Sequence, residues 1–200
     1  AVVLRAEADH LFLLDCDTFD AEQLPMPDGA ELLVVDTRSH HSLVDGKYGG
    51  RRQASELAAA HLGLKTLAEV DHTDLAAALT RIDDEELKGV VAHVVTAIFR
   101  VREVAALIRA GQLAQIGPLL VQSHLSMRDD LVISTPELDL VVESAMHAGA
   151  LGARMTGGGF GGSAVVLVRP GEREQVAARI SRAFEQSGCR RPGLIRVHPA

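Results

Sequence analysis

Arg154-Met155-Thr156-Gly157-Gly158-Gly159-Phe160-Gly161-Gly162-Ser163 is the stretch on which the reading of this chain depends. Five glycines in six positions strip a turn of side chains and admit positive φ repeatedly. Such a loop lets another backbone, or a phosphate, come very close, and successive N–H groups can form an anion-binding nest. Gly157, Gly159 and Gly162 formally fit GxGxxG. The dinucleotide reading still fails, because that fingerprint opens a helix whose N-terminus meets the pyrophosphate. Here Ala164-Val165-Val166-Leu167-Val168 follows, apolar and β-branched, and reads as a strand. A P-loop fails too, since no Gly-Lys-Ser/Thr follows. The stretch is expected to join strands at Ala153–Thr156 and Ser163–Arg169. Phe160 at its centre argues against a merely solvated tip.

Working outward, Glu172–Gln186 has the pattern of an amphipathic helix and Leu194–His198 that of a last short strand. Upstream, Thr135-Pro136-Glu137 is a helix start: a hydroxyl N-cap, proline at the first helical position and a carboxylate near the positive end of the dipole. Leu138, Val141, Val142, Ala145 and Met146 form its buried stripe, ending near Gly149 or Gly152. Gly89–Ala110 carries an apolar face at the 3.6-residue period, closed by Gly111. Leu113–Arg128 is a second helix, in which Pro118 must sit in the first turn or kink it. Tyr48–Leu62 becomes helical after its two glycines, with Gly63 as the residue past its end, and short helical pieces run from Leu67 to Leu87. The N-terminal part reads as strands, at Ala1–Arg5, His10–Cys16 and Glu31–Asp36, with a turn at Pro25–Gly29. This order of segregated strands and helices predicts an α+β fold with antiparallel β-sheet layers flanked by helices.

The chain has 200 residues, 47% of them hydrophobic, enough for one ordinary domain without disulfide staples. With 20 Lys+Arg against 27 Asp+Glu and 3% aromatics it lacks the basic stripe of a nucleic-acid binder and suits no anionic membrane surface. No apolar run approaches the roughly 20 residues that span a bilayer. Ala1–His10 has no signal-peptide pattern, and Ala1 in place of methionine points to a fragment or processed chain. Cys16 and Cys189 are isolated and fit buried thiols in a reducing cytosol. There is no CxxC or HExxH, and adjacent His40 and His41 do not share a metal. Asp15, Asp17 and Asp20 read as turn formers rather than cation ligands. Arg128, Asp129 and Asp130 read as a helix end, Arg51 and Arg52 as ion-pair partners, and His124 as a buried hydrogen-bonded histidine.

Met155–Gly162 (MTGGGFGG) before an apolar strand resembles the third signature motif of the galactokinases, members of the GHMP kinase superfamily. Ser123-His124-Leu125-Ser126-Met127-Arg128-Asp129-Asp130 with Ser134-Thr135-Pro136-Glu137-Leu138-Asp139 resembles the family's SHxSLRDD…SxPELD segment. His41-Ser42-Leu43 with Lys47-Tyr48-Gly49-Gly50-Arg51-Arg52-Gln53-Ala54-Ser55-Glu56 resembles its HxL…EYxxRRxxCE segment. The resemblance runs in order from about Leu11 to about Val168. Lys47, Ser55 and Met127 depart from it, as do Ala92 and Ala97, which replace Arg and Glu of an RHVVTE segment.

The resemblance implies a GHMP-kinase C-terminal domain with ferredoxin-like elements over residues 46–200, and, in residues 1–45, strands that continue or abut a missing N-terminal kinase domain. It implies a cytoplasmic protein that moves the γ-phosphoryl of ATP to the anomeric hydroxyl of galactose. ATP and Mg²⁺ would be held mainly by the missing half. No catalytic residue falls in this chain, because the family's base lies just upstream of Ala1 and its GLSSSA phosphate loop is absent here. Tyr48 matches the tyrosine whose hydroxyl binds the sugar. Gly157, Gly158, Gly159, Phe160, Gly161 and Gly162 would line the active-site cleft. The alternative is a non-catalytic galactokinase-like sugar sensor acting through a partner protein. Val2–Arg5 and Leu11–Cys16 are expected to lack sheet neighbours, and such open edges favour a dimer of the fragment.

Overall fold

The computed structural model describes residues 7, 9–16, 18–26, 28–39 and 47–197. Its strands are β1 (His10–Leu14), β2 (Ala21–Pro25), β3 (Glu31–Asp36), β4 (Gly152–Thr156), β5 (Ser163–Val168) and β6 (Gly193–Val197). Its α-helices are α1 (Lys47–Leu62), α2 (Leu75–Thr80), α3 (Glu85–Arg109), α4 (Leu113–Asp129), α5 (Pro136–His147) and α6 (Arg173–Gln186), with single 3₁₀ turns at Leu67–Glu69 and His72–Asp74. The expected strand at Ala1–Arg5 and the end of the last strand at His198 lie outside the described residues.

β4, β5, β3 and β6 form one antiparallel sheet in that order. The alternation of side chains across a strand divides its residues between two layers. On one face Leu33, Val35, Ala153, Met155, Ala164, Val166 and Val168 pack against Leu138, Val141, Val142 and Ala145 of α5 and Val176, Ile180 and Phe184 of α6. On the other face Leu32 and Leu167 meet Leu24 of β2, Ala105 and Ile108 of α3 and Ile116 of α4. A separate helical core joins Ala54, Ala58, Ala59 and Leu62 of α1 to Val90, Val91 and Val95 of α3. The fold is α+β, as the patterning predicts. β3 pairs on both sides with strands from the C-terminal part, so the boundary expected near residue 45 falls between strands of one sheet.

Helix ends follow local chemistry. Thr135 Oγ1 accepts from the Leu138 amide ahead of Pro136, as expected. Gly63, Gly111 and Gly149 take φ of 76°, 66° and 92° just past their helices. Two readings need correction and one is narrowed. α3 begins at Glu85, capped by Asp84, whose carboxylate accepts from the Leu87 amide, and not at Gly89. Gly89 is a close-approach residue there: a Cβ would sit 2.5 Å from the Asp130 carbonyl oxygen. Pro118 lies in the second turn of α4, which excludes the first-turn placement, one of the two alternatives that the sequence left open. Ala21–Pro25 is a strand, and it pairs along the full length of β1, so Leu11–Leu14 is not without a neighbour. The expected strand Val2–Arg5 is outside the described residues.

α4 lies directly against β4. Cβ atoms built on Gly117 and Gly152 would meet the backbone of Leu151 at 1.8 Å and of Gly117 at 2.5 Å, respectively. This contact fixes the strand that leads into the glycine stretch.

Candidate functional site

Gly157–Gly162 is the loop of the β4–β5 hairpin, and Thr156↔Ser163 is the last strand pair before it. Gly157, Gly159, Gly161 and Gly162 have φ of 84°, 82°, 127° and 87°, and Phe160 shares the left-handed region at 58°. Four of these five positions therefore suit glycine alone. The loop is anchored from two sides. The Phe160 amide donates to the Ile133 carbonyl at 2.7 Å. The Thr37 amide and hydroxyl both donate to the Gly162 carbonyl, at 2.9 and 2.6 Å. Phe160 packs against the core beneath α5 and α6. Gly157 and Gly158 are exposed, while Gly159, Gly161 and Gly162 are buried. The loop presents a fixed, side-chain-free surface at its tip, and it opens a strand, not a helix.

A buried polar chain holds β4 behind this loop. The Met155 amide donates to His124 Nδ1 at 3.3 Å, so that nitrogen carries no proton. Nε2–H of His124 then donates to Asp139 Oδ1 at 3.1 Å, and the same oxygen accepts from the Ser134 hydroxyl at 2.6 Å. Burial holds the His124 pKa below its usual value, against the opposing charge of Asp139. A neutral imidazole locked between an amide and a carboxylate is a positioning group, in line with the expectation from sequence. Alongside it, His93 Nδ1 meets Ser126 Oγ at 3.0 Å, and that hydroxyl donates to Asp130 Oδ2 at 2.7 Å. This second histidine, on α3, is the His of the RHVVTE-like segment Ala92–Ala97, to which the sequence reading gave no site role. Its signal is the Ser126 and Asp130 pair that the SHxSLRDD-like segment contains.

The remaining candidates sort by geometry. Arg51 pairs with Glu86 at 2.6 Å and Arg52 with Glu56 at 2.9 Å. Arg128 grips Asp129 through Nε and Nη2 at 2.8 and 3.0 Å at the exposed end of α4, and no acid–base pair forms there. Asp15 Oδ1 accepts from the Thr18 amide, and the Asp15 amide donates to the Asp20 carbonyl, which makes a turn. Asp17, His40, His41, Ser42 and Leu43 are outside the described residues. Tyr48 is in the first turn of α1, and its phenol is outside what is described. Among the described residues no three His, Cys, Asp or Glu side chains are placed to hold a metal ion. Cys16 and Cys189 are free thiols, Cys16 exposed where a buried one was expected. No helix among the described residues is long and apolar enough to cross a membrane.

Residues 104–186, from α3 through α6, match the family model described as GHMP kinases C terminal. Over 198 residues the sequence is 47% identical to a galactokinase of Streptomyces coelicolor, covering 97% of this chain and 51% of that protein. The chain belongs to the GHMP kinase family. The crystal structure of Lactococcus lactis galactokinase complexed with galactose superposes on this chain with a TM-score of 0.92 at 28% identity, over 96% of the chain and 51% of that protein. The crystal structure of L. major mevalonate kinase in complex with R-mevalonate shares the fold at a TM-score of 0.56 and 18% identity, over 96% of this chain and 49% of that protein. The chain spans about half the length of the curated relatives it matches.

Proposed function

We propose that this chain is the C-terminal part of a galactokinase, which transfers the γ-phosphoryl of ATP to the anomeric hydroxyl of galactose. What carries the reading is the anchored Gly157–Gly162 hairpin, set on the Ser123–Asp139 segment in the family's order, within a chain so similar to a Streptomyces galactokinase. Phosphoryl transfer is mostly positioning and charge stabilisation. On this reading the hairpin is a rigid wall of the cleft, close-fitting because it carries no side chains at its tip. His124 and Asp139 hold β4, and Ile133 and Thr37 hold the loop, so the wall does not shift as substrates enter. Tyr48 binds the sugar: a phenol offers an apolar body and one rigid hydroxyl.

The hairpin gives no helix N-terminus to a nucleotide. On this reading ATP, Mg²⁺ and the catalytic base belong to an N-terminal kinase domain, as the galactokinase resemblance implies, and the β1–β2 hairpin would abut that domain. The test is a coupled ADP-release assay. The protein joined to such a domain is expected to release ADP only with galactose, and the 200-residue chain alone is expected to release none. Galactose-dependent release by the chain alone would overturn the assignment of the chemistry to the other half. Galactose and ATP binding without release would favour the sugar-sensor reading.

A further inference from the structure

Arginine forks in this protein have a habit. Arg109 grips Glu22 through Nε and Nη2, and Arg128 grips Asp129 through the same two atoms. That edge of the guanidinium matches two oxygens of one oxyanion. In Arg100 the same edge is empty: Nε and Nη2 are both buried, and neither has a hydrogen-bond partner.

The surroundings of Arg100 do not balance it. The Arg154 guanidinium is close enough for the two charges to repel, and its own bonds go to the Met155 carbonyl and the Met127 sulfur, at 3.0 and 3.4 Å. Among the described residues the carboxylate whose charge acts on Arg100 is Asp130, and its Oδ2 is already taken by the Ser126 hydroxyl. His93 is neutral near pH 7, because burial and the Arg100 charge hold its pKa down to about 4, so it neither balances Arg100 nor adds to its charge. Among the described residues neither Arg100 nor Arg154 makes an ion pair. Position 97, on the α3 face shared with His93 and Arg100, is alanine and offers no acid. Arg100 thus sits beside a second guanidinium and a carboxylate already engaged at Oδ2, in a desolvated place where an unpaired charge is costly.

We propose that Arg100 and Arg154 form a binding site for a small free oxyanion of the size of inorganic phosphate. The anion's oxygens take the open Nε–Nη2 edge of Arg100, and its charge relieves the repulsion with Arg154. Arg100 is only half-buried as a residue, so rotation of its long side chain brings the fork to solvent for exchange. The site sits between α3, α4 and β4 and does not rest on the kinase reading.

The test is thermal unfolding of the protein in increasing inorganic phosphate, with sodium chloride adjusted to constant ionic strength. The unaltered protein is expected to show a saturable rise in Tm, roughly 3–6 °C once phosphate is tenfold above its dissociation constant. Ala97→Glu places a carboxylate one turn before Arg100, where it can occupy the fork itself. It is expected to raise Tm without phosphate and to abolish the saturable response. Arg100→Met is expected to abolish the response, and if it does not fold, Ala97→Glu alone decides. No saturable rise in the unaltered protein would overturn the site, and so would an equal response in Ala97→Glu. A linear rise in every variant would be general salting-out and would overturn it as well.

Discussion

The Phe160 amide and the Ile133 carbonyl, 2.7 Å apart, join two stretches of unusual backbone. Phe160 has φ 58° in the glycine loop, and Val132, next to Ile133, has φ 53° although it is β-branched and exposed. Residues held in that region cost about 1–3 kcal/mol each and persist only where the surroundings fix them. The loop and the start of α5 hold each other in place.

Gly159→Ala tests that clamp. The new Cβ would lie 2.6 Å from the Ile133 oxygen and 2.7 Å from its Cβ, at a φ of +82°. Gly157→Ala has a similar φ of +84° but open space around it. Urea unfolding is expected to show a loss of about 1 kcal/mol for Gly157→Ala and about 3 kcal/mol or more for Gly159→Ala. Equal losses would mean that Gly159 is needed for its backbone freedom alone.

Gly117→Ala probes the crossing of α4 and β4. Its Cβ would be 1.8 Å from the Leu151 carbonyl oxygen, and both partners are backbone. Separation of the helix from the strand is the only relief. The expected loss is about 3 kcal/mol or more, whereas Gly49→Ala, with nothing nearby, is expected to gain a few tenths of a kcal/mol through helix propensity.

Stability should fall in mild acid. Burial and the nearby Arg100 charge depress the His93 pKa from 6.5 to about 4, with Arg154 adding to the effect and Asp130 opposing it. The unfolded chain therefore takes up its proton first. The contribution is fully present above the unfolded value of 6.5 and is lost as pH falls through the folded value near 4. The expected loss is of order 3 kcal/mol across that window. His124, also depressed, adds in the same direction. Urea titrations at several pH values would measure the slope, and His93→Gln should flatten it.

Tyr48→Phe, made in a protein that includes the N-terminal domain, is expected to raise the galactose KM by about 3–10-fold, the worth of one neutral hydrogen bond. Steady-state kinetics would read it. An unchanged KM would remove Tyr48 from the sugar site.

Much of this architecture could be read from the chain. Ala164–Val168 is too apolar and β-branched to open a helix, and that alone made the glycine stretch a hairpin. Thr135-Pro136-Glu137 marked the start of α5 to the residue. The misses have local causes. β2 carries polar Glu22 and Gln23 and one buried side chain, Leu24, and its pairing with β1 supplies what its composition does not. The sequence pattern opens its helix at Gly89, yet Gly89 lies inside α3 and answers the backbone at Asp130, far along the chain and invisible to periodicity. The bond from Met155 to His124 and the open fork of Arg100 depend on which way packed side chains point, and no spacing rule states that.

β3 has a consequence for synthesis. Glu31–Asp36 is synthesised long before either of its partners, Ser163–Val168 and Gly193–Val197, emerges from the ribosome. Until then the nascent chain holds an apolar ELLVVD segment without a permanent mate. Expression at a slower elongation rate should lengthen that interval, and with it the need for chaperone cover.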